Sequence, residues 1–194
     1  MSDAEKQLLQ LLKERALRFG TFRLASGGTS NYYIDGKMVE VSSRSSRLIG
    51  EVLYERTKDL AIDAIGGLEV GAVPLTAAAV IAYDLHEREM EGFWVRDAVK
   101  LHGTQKLIEG NLQPGARVVI VDDVVTQGGS AAKAIDAVRA IGCEVVAVVA
   151  LVDRLVGAAA RLKEHGILNY EPVFTIRDLG VNVDVRSPAE STSR

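Results

Sequence analysis

The segment from Val118 to Ser130, VVIVDDVVTQGGS, places acidic, hydroxyl and glycine residues next to one another. Its first four residues are apolar and β-branched, which is typical of a central strand. Asp122 and Asp123 follow directly, and a helix is predicted to begin at Ser130. Adjacent glycines let backbone N–H groups approach an anion, and a helix N-terminus adds a favourable dipole. The segment therefore predicts a phosphate-binding turn between a strand and a helix.

The two acids need a partner other than that phosphate, because like charges repel. Carboxylates accept hydrogen bonds from sugar hydroxyls, and they also suit a Mg²⁺ ion held nearby. A phosphate turn beside paired acids thus indicates a phosphorylated sugar as the ligand. The competing interpretation is an ordinary turn, since acids and Gly-Gly before a helix also occur as turn chemistry alone. The segment has neither the Gly-Lys-Ser/Thr of a Walker loop nor the Gly-x-Gly-x-x-Gly of a dinucleotide site.

Helices and short apolar strands alternate around this segment. The predicted strands lie at residues 64–66, 92–95, 118–121, 145–151 and 172–176, after a strand pair or loop at 26–37. The predicted helices lie at residues 3–19, 43–58, 76–86, 130–141 and 157–165. This alternation predicts an α/β fold whose mostly parallel sheet is flanked by helices on both faces. Ligands bind such sheets at the carboxyl ends of the strands, where the acids are expected.

Composition limits the function classes. The 194 residues suffice for one domain with a sizeable core. A net charge of −3 gives no support to nucleic-acid binding, which usually shows as a basic domain or stripe. The single cysteine, Cys143, cannot form an internal disulfide bond, which favours the cytoplasm. The charged, amphipathic start predicts no secretory signal, and the apolar stretches are shorter than the roughly 20 residues that cross a bilayer.

Four segments carry a resemblance to a known family. VVIVDDVVTQGGS resembles the phosphoribosyl pyrophosphate signature of type I phosphoribosyltransferases. Three more segments are similar to motifs of the orotate phosphoribosyltransferases within that family. They are the amino-terminal motif at residues 22–35 (FRLASGGTSNYYID), the pyrophosphate-contacting turn at 66–78 (GGLEVGAVPLTAA) and the mobile catalytic loop at 94–110 (WVRDAVKLHGTQKLIEG). The matches keep the family's order and spacing across most of the chain.

The resemblance implies a type I phosphoribosyltransferase fold with a small N-terminal hood and a mobile catalytic loop. One domain is expected over residues 1–194, with the first helix and hood at 1–40 and a flexible tail at 187–194. The implied reaction is transfer of ribose 5-phosphate from phosphoribosyl pyrophosphate to orotate in pyrimidine synthesis, giving orotidine 5′-monophosphate and pyrophosphate. Mg²⁺ is the implied cofactor, held mainly by the substrate. The implied assembly is a homodimer in which loop 96–110 completes the partner's site.

Residue roles follow from the matched positions. Lys100 is the first candidate for the catalytic cation, and Asp122 and Asp123 match the acids that bind the ribose hydroxyls. Thr126 and Arg154 match the positions that hold orotate, and a guanidinium suits the carboxylate of that base. The residues expected to bind phosphoribosyl pyrophosphate are Arg96, Lys100, His102, Asp122, Asp123, Val124, Val125, Thr126, Gln127, Gly128, Gly129 and Ser130. Tyr32 and Tyr33 could line the base pocket or pack in the core.

Asp97 departs from the family pattern, which usually has a lysine directly after the loop arginine. An acid beside the charge that develops on pyrophosphate is unfavourable unless it points away or meets the metal. Asp97 therefore keeps open a phosphoribosyltransferase for another base. A regulator that binds phosphoribosyl pyrophosphate only as a signal is the alternative from another class, and it generally needs an added nucleic-acid-binding module.

Overall fold

Strands and helices alternate along the computed structural model, which describes residues 1–23, 29–98 and 106–182. The strands are β1 (Leu17–Arg23), β2 (Thr29–Ile34), β3 (Ala64–Leu68), β4 (Glu91–Val95), β5 (Ile108–Gly110), β6 (Arg117–Val125), β7 (Glu144–Asp153) and β8 (Tyr170–Thr175). The α-helices are α1 (Asp3–Leu11), α2 (Lys37–Glu40), α3 (Ser43–Thr57), α4 (Ala72–Leu85), α5 (Gly129–Ala140) and α6 (Ala158–Glu164). A π-helical turn (Leu12–Ala16) joins α1 to β1.

The six later strands form one sheet in the order β5-β4-β3-β6-β7-β8. Its neighbouring strands run parallel, except that β4 and β5 are antiparallel. The first two strands form a separate antiparallel pair. The predicted α/β fold with a mostly parallel sheet is therefore confirmed.

Side chains of β6 alternate between two buried layers. Val119 and Val121 join the cluster that contains apolar residues of α1, α3 and α4. Val118 and Ile120 join the opposite cluster, with apolar residues of α5 and α6. Because successive side chains of a strand point to opposite faces, a strand buried in this way must lie between two helical layers. The carboxyl end of β6 therefore opens in the middle of the sheet edge where ligands bind.

The helix predicted over residues 3–19 is wrong beyond Ala16. The α-helix ends at Leu11, and after the π-helical turn the chain enters β1. Leu17 pairs with Ile34 and Phe19 with Tyr32 across the hairpin of β1 and β2, which we call the hood. The local apolar spacing does not show whether a helix ends before residues 17–19 or continues through them. Pairing with β2 decides that these residues form a strand. Gly20 therefore lies inside a strand and does not end a helix.

Two further boundaries differ from the prediction. β6 continues to Val125, so that Asp122 and Asp123 lie inside the strand and not after it. The segment predicted as loop from Arg96 to Gly110 contains β5, which pairs with β4. No helix in the described part of the chain is long and apolar enough to span a membrane.

Candidate active site

The segment predicted to bind phosphate, which we call the phosphate turn, lies between the carboxyl end of β6 and α5. Thr126 and Gln127 are exposed, and α5 begins at Gly129 with Ser130 in its first turn. Gly128 adopts a left-handed backbone with a φ of 74°, which side chains with a Cβ rarely adopt. Its carbonyl accepts the hydrogen bond of Ala132 N–H at 3.0 Å. The helix N-terminus and the two exposed hydroxyl side chains together can hold a phosphate group.

The two acids have different environments. Asp122 is 7% exposed, whereas Asp123 is half-buried. The backbone N–H of Asp123 donates to Oδ1 of Asp122 at 3.1 Å. Burial, and then the negative charge of Asp123, raises the pKa of Asp122 to about 7. Asp123 therefore offers the more accessible oxygen atoms to a sugar hydroxyl.

Two glycines enclose the carboxyl of Asp123. A Cβ placed on Gly71, at the start of α4, would lie 2.4 Å from Oδ1 of Asp123. A Cβ placed on Gly36, which follows the hood, would lie 3.2 Å from Oδ2. Since real side chains do not approach so closely at Gly71, that glycine is required by the position of Asp123. Three parts of the chain therefore meet at this one carboxyl: the segment after the hood, the turn after β3, and the strand β6.

Glu40 also adjoins this group of residues, although the sequence patterns do not identify it. Its side chain is 1% exposed, and a Cβ on Gly36 would lie 2.1 Å from its Oε1. Burial, and then the charge of Asp123, raises the pKa of Glu40 to about 8. The available signal was weak: an acid between Val39 and Val41 in an apolar run. Only the contact with β6 shows that this acid belongs to the site.

Arg154, predicted to hold the base, joins the hood to the end of β7. The Nε–H of Arg154 donates to the Tyr32 hydroxyl at 3.2 Å, and the guanidinium carbon lies 4.7 Å from the centre of the Tyr32 ring. Nη2 of Arg154 donates to Ser30 Oγ at 3.4 Å. The backbone N–H of Arg154 donates to the carbonyl of Val125 at 2.9 Å, so this arginine is tied to the phosphate turn. Of the two tyrosines considered, Tyr32 reaches Arg154, while Tyr33 packs against Phe22 of the hood.

A buried acid supports the turn that presents Arg154. Asp153 is 4% exposed, and its carboxylate accepts hydrogen bonds from the Leu155 N–H at 2.7 Å and the Tyr170 hydroxyl at 2.9 Å. Burial, and then the charge of Asp153, raises the pKa of Tyr170, so the phenol keeps its proton and remains a donor. This arrangement fixes the backbone on one side of Arg154.

Arg96 and Asp97 lie at the base of the loop, and both have ionic partners. Nη2 of Arg96 lies 2.8 Å from Glu109 Oε1, and its Nη1 lies 3.9 Å from Glu69 Oε2. The carboxylate of Asp97 pairs with Lys133 of α5 at 2.6 Å. Asp97 thus points towards a helix, which removes one reason to expect repulsion of pyrophosphate. Glu69, in the turn after β3, is a second residue that sequence reasoning missed.

Lys100 and His102 lie outside the described residues, so their predicted roles stay predictions. Within residues 1–23, 29–98 and 106–182, no group of three or more His, Cys, Asp or Glu side chains could hold a metal ion. Mg²⁺ usually keeps several waters and binds one or two carboxylates together with substrate phosphates. The accessible oxygens of Asp123 suit hydrogen bonds with the waters or hydroxyls around an ion carried by a substrate.

Known proteins resemble this chain in sequence and in fold. Residues 36–171 match the phosphoribosyl transferase domain family. The orotate phosphoribosyltransferase of Rhodopirellula baltica is 41% identical over 180 residues, which cover 90% of this chain and 93% of the relative. The chain belongs to the orotate phosphoribosyltransferase family. The orotate phosphoribosyltransferase of Streptomyces coelicolor is 38% identical over 182 residues, covering 94% of this chain and all of the relative.

A solved structure of the orotate phosphoribosyltransferase family has the same fold. The Mycobacterium tuberculosis orotate phosphoribosyltransferase in complex with phosphoribosyl pyrophosphate is 35% identical, with a TM-score of 0.77. The match covers 92% of this chain and 99% of that protein. The predicted family and the predicted type I phosphoribosyltransferase fold are therefore confirmed.

Proposed function

We propose that this protein transfers ribose 5-phosphate from phosphoribosyl pyrophosphate to orotate, giving orotidine 5′-monophosphate and pyrophosphate. The observation that carries the proposal is the junction of two half-sites at one sheet edge. The acids lie in β6 and the phosphate turn follows it. Arg154 contacts Tyr32, and its backbone N–H donates to the carbonyl of Val125 at the end of β6. Relatives over nearly the whole chain length are orotate phosphoribosyltransferases.

The ribose-phosphate half would work by positioning. The turn from Thr126 to Ser130 would hold the 5-phosphate through hydroxyls, backbone N–H groups and the dipole of α5. Asp123 and Asp122 would accept hydrogen bonds from the ribose hydroxyls and fix the sugar ring. A fixed ring exposes its anomeric carbon in one direction, towards the base that attacks it.

The pyrophosphate half would stabilise the leaving group. The transition state resembles an oxocarbenium ion, and negative charge builds on the departing pyrophosphate. Cations that meet that charge only as it develops lower the barrier more than they stabilise the ground state. Lys100, with Arg96 and His102, is the proposed set of cations. Mg²⁺, bound mainly through the substrate, would neutralise the same charge.

The base half would recognise a carboxylate. The guanidinium of Arg154 can donate two parallel hydrogen bonds to the carboxylate of orotate. Thr126 is at the second position that matches an orotate-holding residue of the family. Tyr32 would hold the guanidinium in place through its hydroxyl and the face of its ring. A base without a carboxylate would leave the charge of Arg154 without an anionic partner, which disfavours the binding of uracil and purines.

A panel assay tests this function. Purified protein is incubated with phosphoribosyl pyrophosphate, Mg²⁺ and orotate, uracil or a purine base, and pyrophosphate release is followed. We expect pyrophosphate release with orotate but not with uracil or a purine base. We expect no release when a chelator removes the metal. The matched control is Arg154→Gln, which should bind phosphoribosyl pyrophosphate normally but turn over orotate poorly. A well-folded sample that uses another base, or none, would contradict the proposal.

We also infer a homodimer in which loop 96–110 completes the partner's site. The family motif in that loop supports this inference. The central residues of the loop lie outside the described part of the chain. Chains carrying Lys100→Ala are mixed with chains carrying Asp122→Asn and Asp123→Asn. Random pairing should restore roughly a quarter of wild-type activity, because each mixed dimer regains one intact site. Each variant alone is the control, and mixed dimers without activity would exclude a shared site.

The remaining proposals concern the chain as a whole. We place it in the cytoplasm, supported by one buried free cysteine, Cys143. We treat residues 1–194 as a single domain, with the first helix and hood at residues 1–40. The flexible tail proposed at residues 187–194 lies outside the described residues.

A further inference from the structure

Glu40 is a buried acid whose main chain is anchored while its carboxyl has no hydrogen-bond donor in the part of the chain that the structure describes. It is the last residue of α2, and its N–H donates to the Gly36 carbonyl at 3.0 Å. Its own carbonyl accepts the Ser46 hydroxyl at 2.6 Å. Within the described residues, neither carboxyl oxygen of Glu40 has a hydrogen-bond donor. An acid with 1% exposure and no donor requires a physical explanation.

The carboxyl of Glu40 adjoins another acid, Asp123. The position a Cβ would take on Gly36 lies 2.1 Å from Glu40 Oε1 and 3.2 Å from Asp123 Oδ2, so the two carboxyls adjoin the same glycine. Gly71 closes the other side of Asp123. The Asp123 carboxyl therefore lies between two glycines, and the Glu40 carboxyl adjoins one of them.

Two ionised carboxylates in such contact would repel each other strongly in a water-poor environment. A proton on Glu40 changes this contact into an O–H···O⁻ hydrogen bond to Asp123. The other charged groups that act on Glu40 are Lys37 of the same helix, which favours ionisation, and Asp35, which opposes it. The net balance favours the neutral acid, since burial and Asp123 raise the pKa of Glu40 to about 8.

We propose that Glu40 is a positioning residue that donates a hydrogen bond to Asp123 and so sets which Asp123 oxygen faces the substrate sugar. Glu40 does not touch the substrate. The inference rests on the proposed function, in which Asp123 accepts hydrogen bonds from the ribose hydroxyls. One oxygen of Asp123 is then engaged by Glu40, and the other stays available at the accessible edge of the site. The short helix after the hood therefore contributes to sugar recognition through the proton of Glu40.

Two substitutions separate the hydrogen bond from the shape of the side chain. Glu40→Gln keeps a donor of the same size, and Glu40→Met keeps the length but removes the donor. Glu164→Gln, on the exposed side of α6, is the matched control. The dissociation constant of phosphoribosyl pyrophosphate with Mg²⁺ is measured by calorimetry at pH 7 and pH 9, and folding is checked by circular dichroism.

At pH 7 we expect Glu40→Gln to bind within about threefold of wild type and Glu40→Met to bind about tenfold more weakly, the effect of one hydrogen bond to a charged group. At pH 9 the wild type should weaken towards the Met variant, because Glu40 then loses its proton. The Gln variant should weaken less than wild type, because only groups common to both proteins, such as Asp122, titrate in it. The Glu164→Gln control should follow the wild type at both values.

Two results would overturn the role of Glu40. One is a folded Met variant that binds as tightly as wild type, and the other is a folded Gln variant that is weakened as much as the Met variant. If the Met variant does not fold, the pH 9 comparison of wild type with Glu40→Gln decides, and equal weakening of both overturns the proposal. Wild-type turnover of orotate is measured separately. Its absence would refute the proposed function, whereas the affinity series concerns Glu40 alone.

Discussion

Glu40, a buried acid in the short helix after the hood, makes the stability of this protein depend on pH in a specific direction. Glu40 has an ordinary pKa of 4.5, and the folded protein raises it to about 8. Between these values the folded chain holds one more proton than the unfolded chain. Stability from this group is therefore fully present below pH 4.5 and is lost as the pH rises towards 8. The slope is about 1.4 kcal/mol per pH unit for one proton.

Glu40→Gln should remove this slope. Between pH 5.5 and 7.5 the free energy of unfolding of the variant should rise relative to wild type by about 2.7 kcal/mol, two pH units at the full slope. Asp122, whose pKa burial raises to about 7, titrates in both proteins, so its effect largely cancels in the difference. The single tryptophan, Trp94, provides a fluorescence signal for denaturant unfolding, with circular dichroism as the second probe.

The control for this measurement is Glu164→Gln, which should differ from wild type by the same amount at each pH. If the difference between Glu40→Gln and wild type stays within about 0.5 kcal/mol across the range, Glu40 is already ionised in the folded state, and the reasoning from burial fails. A difference that falls with pH would mean that a cation binds Glu40.

Two further substitutions test the geometry of the site. Tyr32→Phe removes the hydroxyl that holds Arg154 and should raise the KM for orotate about fivefold, the effect of roughly 1 kcal/mol, with the KM for phosphoribosyl pyrophosphate unchanged; equal changes in both would contradict the assignment. Gly71→Ala introduces a Cβ only 2.4 Å from Asp123 Oδ1, while the backbone φ of −58° suits alanine. We expect the Asp123 carboxyl to move and the KM for phosphoribosyl pyrophosphate to rise about tenfold. Steady-state kinetics beside a thermal melt would detect this, and a lower Tm with normal kinetics would show that the clash is relieved elsewhere.

Much of the fold follows from local patterns. The apolar strand of β6, the glycine turn and the helix after it were predictable because strand, turn and helix preferences all agree there. The helix over residues 3–19 was overextended, because residues 17–19 gain more from pairing with β2 than from continuing a helix. The sequence predicts the two acids after β6, whereas the structure has them inside it. The strand extends past the acids because it pairs with β7 as far as Val125, for example Val124 with Val152. Strand ends of this kind depend on a partner that local periodicity does not include.

The site divides in the same way. The residue types that can hold a phosphorylated sugar stand together in one segment, Val118 to Ser130, and their order alone indicates that chemistry. The partners of Arg154 come instead from the hood, and Glu40, the partner of Asp123, comes from the helix after it, far away along the chain. The sequence does not show that Glu40 is buried, nor that Tyr32, which packs in the core, also reaches Arg154. Proximity, burial and the position of a shared proton arise only when distant segments pack together, because they depend on distance and on the exclusion of water.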